Sequence, residues 1–219
     1  MLNPWLNVPL GDYEGHMGSP SVAQLAALSD LFAAALELCQ PDSLAILGIA
    51  GGNGLERIDA GLTKRIVGVD IHPDYLRTVG ERFAHLPLRL HCVDLETSRV
   101  PEAPVSLVHA ALIFEHAGMG ACLRSALQLV SEGGRLSVVL QLPSAGQARI
   151  SPTPFASIKA LGDCFELIDP TALRHAVESQ GLALCHEATW ALPAGKALWH
   201  AVFQRSQPSA LADRRLAPR

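Results

Sequence analysis

Short apolar runs alternate with amphipathic segments along most of the chain. LAILGIA (44–50), RIVGVDI (65–71), LRLHCVD (88–94), VSLVHAALI (105–113) and RLSVVLQL (135–142) each read as a buried strand. The segments around them follow helical spacing. Ser19 and Pro20 offer an N-cap and a first-turn proline, and Leu25, Leu28, Phe32, Ala35, Leu36 and Cys39 then recur on one face as far as Gln40-Pro41. Pro73 opens a helix carrying Leu76, Val79 and Phe83, and Leu123, Ala126, Leu127 and Val130 form another that Gly133-Gly134 closes. A further helix runs from Pro170 to Gly181, followed by two strands, 182–192 and 196–205, around a Pro193-Ala194-Gly195 turn. Strands apolar on both faces and separated by helices require a parallel sheet covered on both sides, so the expected class is doubly wound α/β ending in an antiparallel hairpin. Residues 1–18, with Trp5, Tyr13 and Met17 among Pro and Gly, read as an irregular arm.

Composition narrows the function classes. A chain of 219 residues, 49% hydrophobic, supports one core, expected here over residues 1–205, with 206–219 as a flexible tail. The net charge is -4 and the one basic cluster is Arg214, Arg215 and Arg219, so a nucleic-acid partner is not expected. No stretch approaches the roughly 20 apolar residues of a membrane span, and a soluble, cytoplasmic protein is expected. Five scattered cysteines argue for reduced thiols rather than disulfides or zinc. His186-Glu187 begins a zinc-protease motif, but Trp190 stands where its second histidine belongs.

The candidate chemistry gathers after the first strand. Ala50-Gly51-Gly52-Asn53-Gly54 lies where open α/β sheets bind ligands, and its missing side chains allow close approach to backbone N–H groups at the start of the next helix. Asp70 ends the second strand twenty residues later, where a carboxylate accepts both hydroxyls of an adenosine ribose; capping the helix at Pro73 is its other reading. Asp94 ends the third strand in the same way, or is a plain loop acid. Gly54 is followed by Leu55-Glu56, so no phosphate-binding Gly-Lys-Ser/Thr is present, and GxGxxG fails in every frame through 48–57.

This region resembles the first motif of class I S-adenosylmethionine-dependent methyltransferases, written here AGGNG with Ala50 in the first glycine slot. The likeness continues over roughly residues 20–205, through VGVDIHPDYL, HCVDLE, VHAALIFEHAG and SEGGRLSVVLQ. It implies one methyltransferase domain with a mostly parallel seven-stranded sheet of order 3-2-1-4-5-7-6, the last strand antiparallel. Residues 1–40 would form its arm and cap helix, and 142–170 a substrate-side insertion. It implies S-adenosyl-L-methionine as cofactor and S-adenosyl-L-homocysteine as product. Ala50, Gly51, Gly52, Asn53 and Gly54 would line the methionine part, Asp70 and Ile71 the ribose, and Asp94 with Leu95 the adenine. The family commonly has an acid where this chain has Gly48; backbone carbonyls near Ala50 and Ala110, or Glu14 from the arm, would then hold the cofactor's ammonium.

Methyl transfer from a sulfonium is an in-line displacement in which positioning supplies on the order of 7–11 kcal/mol, and a general base about 10²- to 10⁴-fold more. His116 is the candidate base and Glu115 the candidate orienting group, with Tyr13 and His16 as arm residues that either close over the cofactor or pack Trp5 and Met17 onto the sheet edge, and Gln141 at the end of the fifth strand. The other reading makes Glu115 a helix cap and His116 a solvated loop residue. Lys196 reads as a surface lysine, with binding an anion in the pocket as its other reading. Apolar and aromatic content in the arm and in 150–167 favours a small, largely apolar acceptor. A nicotinamide-dependent oxidoreductase and a non-catalytic S-adenosylmethionine-binding protein are the alternatives. Oligomeric state is left open.

Overall fold

A computed structural model describes residues 3–144, 148–193 and 195–207. The basic cluster Arg214, Arg215 and Arg219, most of the expected tail and the Ala194 of the hairpin turn lie outside the described residues. Seven strands form one sheet: β1 (Ser43–Leu47), β2 (Arg65–Asp70), β3 (Leu88–Cys92), β4 (Val105–Ala111), β5 (Val130–Gln141), β6 (Leu182–Ala191) and β7 (Ala197–Arg205). Their order is β3-β2-β1-β4-β5-β7-β6, with β1 to β5 parallel and β7 antiparallel to both of its neighbours.

The apolar runs of β1, β2, β4 and residues 136–141 of β5 are buried on both faces, as strands in a covered parallel sheet must be, whereas β3, at the edge of the sheet, is half-buried to exposed and not the buried strand its sequence suggested. Ala45, Leu47, Val67 and Val69 face one layer, which packs on Leu123, Ala126 and Leu127 of one helix and Leu173 and Val177 of another. Leu44, Ile46 and Ile66 alternate to the other side, against Phe32, Leu76 and Val79. The helices are α1 (Leu10–Met17), α2 (Gln24–Cys39), α3 (Pro73–Arg82), α4 (Phe114–Ala117), α5 (Ala121–Leu129), α6 (Ala156–Lys159) and α7 (Pro170–Glu178).

Four local expectations are corrected. The arm is ordered: Asn3 accepts from the Trp5 N–H at the head of a 3-10 turn (Pro4–Asn7), and α1 follows. Its glycines do not break it, because at Gly15 a Cβ would lie 2.8 Å from the Phe155 ring, so the bare position is needed for packing. Ser19 and Pro20 do not start α2. They belong to a separate turn closed by Ala23 N–H to Ser19 C=O, after which Ala23 turns left-handed at φ 52° and the helix begins at Gln24. The glycine loop does not enter an α-helix; only a 3-10 turn, Leu55–Arg57, follows it. Finally, Gly133-Gly134 do not end α5, which stops at Leu129. They sit inside β5, where pairing to β4 jumps from Val105↔Val130 to Leu107↔Arg135, and Gly133 at φ 69° absorbs the extra residues.

A buried polar line crosses the sheet. His109 Nδ1 and His200 Nε2 each lie 3.0 Å from Ser137 Oγ, on β4, β7 and β5 respectively. Burial pushes the His109 imidazole down to about 3 and the His200 imidazole to about 4, with neighbouring His200 and His186 adding to the respective shifts. An unfolded histidine titrates near 6.5. Between those values the unfolded chain binds protons that the fold refuses, so this contribution to stability is full above pH 6.5 and is lost as the pH falls, by roughly 2 kcal/mol per histidine at pH 5. Glu115, raised to about 7, acts in the opposite direction. The variant His109→Asn/His200→Gln retains hydrogen-bonding atoms near Nδ1 and Nε2 but cannot be protonated. Its urea midpoint should fall less between pH 7 and pH 5 than that of the native protein; an equal fall would show that these histidines do not govern acid sensitivity.

Candidate active site

The cleft opens at the C-terminal ends of the parallel strands, and the strand order lays its residues out in a row. Val93, Asp94 and Leu95 follow β3, Asp70 and Ile71 end β2, Gly48 and Ala50 follow β1, Ala111, Leu112 and Ile113 close β4, Gln141 ends β5 and Lys196 precedes β7. The arm and α6 roof it with Trp5, Tyr13, His16 and Ile158.

Asp70 is the fixed point of the row. It is 8% exposed; one carboxylate oxygen accepts from Ala50 N–H and the other from His72 N–H, each at 2.9 Å. Burial raises its pKa, while the two backbone donors favour the ionised form. Each oxygen keeps a lone pair for a further donor. Ala50, at φ 46°, and Leu112, at φ 53°, are left-handed non-glycine residues at the ends of adjacent strands. Such a conformation costs roughly 1–2 kcal/mol. It is held at Ala50 by Asp70 and at Leu112 by an N–H bond to Val139 C=O of 2.9 Å.

The rest of the glycine loop is turned toward protein rather than the cleft. A Cβ at Gly52 would lie 2.7 Å from the Phe83 ring and one at Gly54 2.8 Å from that of Phe32, while at Gly51 it would overlap the Glu14 carboxylate. Asn53 donates to Leu25 C=O at 2.8 Å on the exposed side. Ala110 is buried in the sheet core, so Ala111 and Leu112, not Ala110, reach the cleft. At Gly48 a Cβ would stand 2.9 Å from Ile113 Cδ1, so an isoleucine fills the space where the family's acid would project. Glu14 does reach the loop, but its carboxylate is paired with Arg82, which also donates to Gly51 C=O at 3.2 Å. Asp94 accepts from Glu96 N–H at 2.9 Å and lines the cleft beside buried Leu95.

Four catalytic candidates meet different fates. His116 is not a solvated loop residue: Trp5 and Phe165 hold its ring edge-on at centroid distances of 4.7 and 5.0 Å. Its buried Nδ1 has no partner among the described residues, and burial depresses its pKa to about 4, so it is neutral at pH 7. Glu115 neither caps a helix nor enters the cleft. It is 1% exposed, accepts from Gln141 N–H at 2.7 Å, leaves Oε2 without a partner among the described residues, and is raised by burial to about 7. Tyr13 is at the cleft with its phenol pushed further up by burial, Asp70 and Glu14, so it is a hydrogen-bond donor and not a base. His16 is at the cleft too, with its pKa lowered by burial and then by Lys196.

Trp5 of the arm and Phe165 of the 150–167 segment line the cavity, and so does Tyr75, which the sequence reading missed and which donates to Val8 C=O at 2.8 Å to seat the arm. Ser157 to Asp12 at 2.6 Å and Asn3 to Glu96 at 3.3 Å fasten the arm elsewhere. Lys196 is not at the surface: it is 6% exposed at the far end of the cleft. Apolar neighbours such as Trp5 carry no motif that separates a cavity lining from a core. Among the described residues no group of three or more His, Cys, Asp or Glu could hold a metal ion.

Comparison with known proteins agrees with this geometry. Residues 46–138 match the family model described as a methyltransferase domain. A search of curated proteins gives no match. Among solved structures, the N-methyltransferase NodS of Bradyrhizobium japonicum, crystallised with S-adenosyl-l-homocysteine, superposes at TM-score 0.67 and 14% identity over 93% of this chain and 98% of that one. Magnesium protoporphyrin IX methyltransferase of Synechocystis, with bound SAM, gives TM-score 0.60 and 12% identity over 82% of this chain and 79% of that one. The cyclase SpnF gives TM-score 0.63 and 13% identity over 83% and 81%. The methyltransferase-domain match runs from β1 into β5, and the complete seven-stranded order around it is the fold of these S-adenosylmethionine-dependent methyltransferase structures.

Proposed function

We propose that the protein transfers a methyl group from S-adenosyl-L-methionine to a small, largely apolar acceptor enclosed under the N-terminal arm. The observation that carries the reading is the continuity of one cleft from the Asp70 carboxylate, past the bare backbone at Gly48, to the cavity formed by Trp5, Phe165, Ile158 and Leu161. Buried Asp70 fits a ribose diol, and Asp94 with Leu95 fits an adenine edge. S-adenosylmethionine, when bound, supplies a methyl group already activated on a sulfonium.

The chain's own residues then have positioning to do. Asp70 accepts the ribose hydroxyls on the lone pairs its backbone donors leave free. Trp5, Tyr13 and Tyr75 shut out water and hold the reacting atoms close, the source of most of the rate gain. His116, neutral at working pH, takes the proton of an acceptor that must lose one. With a pKa near 4 it is a weak base, at the low end of the usual 10²- to 10⁴-fold contribution. Glu115 fixes the backbone of Gln141, which holds the acceptor end of the cavity. The fold alone does not dictate the reaction, since the cyclase SpnF shares it.

S-adenosylhomocysteine at a hundred times its Kd should stabilise by about 2.7 kcal/mol, a Tm rise of roughly 5–10 °C, and NAD should give none. Asp70→Ala should lose the rise while keeping the fold by circular dichroism. A rise with NAD alone would contradict the cofactor, and a S-adenosylhomocysteine rise without methyl incorporation from tritiated donor into any small acceptor would leave a binding protein.

The Glu14–Arg82 pair gives a second prediction. It is partly exposed and such pairs contribute about 0–1 kcal/mol, so Glu14→Gln should weaken S-adenosylhomocysteine by less than about five-fold by calorimetry. A larger loss would show that Glu14 holds the ligand's ammonium directly.

A further inference from the structure

Resting on that reading, we propose that the acceptor carries an anionic group, a carboxylate in the first instance, which Lys196 binds at the end of the cleft remote from Asp70. Lys196 has no ion pair with an acid among the described residues. Among the described residues its ammonium donates to one acceptor, Arg149 C=O at 2.8 Å, which leaves two of its three donors for a ligand in the cleft that it lines. A cation this buried is costly without a counter-charge. The hairpin fixes its place, with Leu192 N–H bonded to Lys196 C=O at 2.8 Å and Ser144 to Gly195 C=O at 3.1 Å.

The surroundings are built to receive an anion. Gln24 donates to Gln141 at 3.0 Å and Gln141 donates to the same Arg149 carbonyl at 2.9 Å, so the two amides are locked beside Lys196. His16 lies close enough to feel the lysine's charge, and buried Ser151 adds a hydroxyl. The acids of the cleft, Asp70, Asp94 and Glu96, all stand at its opposite end, after β2 and β3. The sheet sets the scale: from the end of β4 to β7 is two strand spacings, about 10 Å. The acceptor is therefore a short molecule with its nucleophile toward β4, an apolar body among Trp5, Phe165 and Ile158, and its anion at Lys196.

The test uses the full chain saturated with S-adenosylhomocysteine, titrated calorimetrically with matched acids and amides: hexanoate, octanoate and 4-phenylbutyrate against hexanamide, octanamide and 4-phenylbutanamide. At least one acid should bind about ten-fold or more tighter than its amide. That preference should fall below about two-fold in Lys196→Met and persist in Lys196→Arg, with the Tm rise from S-adenosylhomocysteine retained in both variants as the check on folding. Equal affinity for every pair, no binding by any acid, or an undiminished preference in Lys196→Met would overturn the proposal. Failure of S-adenosylhomocysteine itself to stabilise the native protein would instead strike at the methyltransferase reading.

Discussion

Two backbone N–H groups on one buried carboxylate hold the cleft together. Asp70 joins the loop after β1 to the turn after β2, and that junction keeps Ala50 in a conformation an alanine otherwise avoids. An ionised carboxylate this deep is tolerable only because its oxygens are bonded, and the bonds fix its plane toward the cleft. The strained Ala50 and Leu112 mark where the ends of β1 and β4 part and leave room between them, as strain at functional sites commonly does.

The arm depends on that floor. Its Trp5, Val8 and Tyr13 pack on Ile158, Leu161 and Phe155, and Tyr75, Arg82, Glu96 and Ser157 hold it at four places spread across α3, the β3 loop and α6. The exposed ties among these are individually weak, and the buried apolar contacts carry most of the ordering. The charges are segregated along the same cleft, the acids Asp70, Asp94 and Glu96 after β2 and β3 and the cations Arg149 and Lys196 toward β7.

The sheet was legible in the sequence because its signal is redundant: Leu44 to Leu47 and Ile66 to Val69 carry no polar side chain, Leu136 to Leu140 carries only Ser137, and a covered parallel sheet buries both faces of such runs. Asp70 and Asp94 were legible because strand ends fix their place. The arm was misread because Gly11 and Gly15 look like breakers until Phe155, 140 positions later, shows why Gly15 is bare. The same non-locality left Lys196 with two readings, surface or pocket, until its bond to Arg149 C=O, 47 positions away, showed it buried. Gly51, Gly52 and Gly54 matched a motif, yet their space is taken by Glu14, Phe83 and Phe32, so a glycine pattern reports close approach without saying by what.

Hydrogen–deuterium exchange with and without S-adenosylhomocysteine is the most direct measure of whether one cleft, pinned at Asp70 and roofed by the arm, holds the cofactor. The account predicts slowed exchange at three strand ends together, residues 48–52, 70–75 and 93–96, and across the arm at 5–17, with β6 unchanged. Protection confined to one of these segments, or protection of the strand ends with the arm exchanging as before, would contradict it.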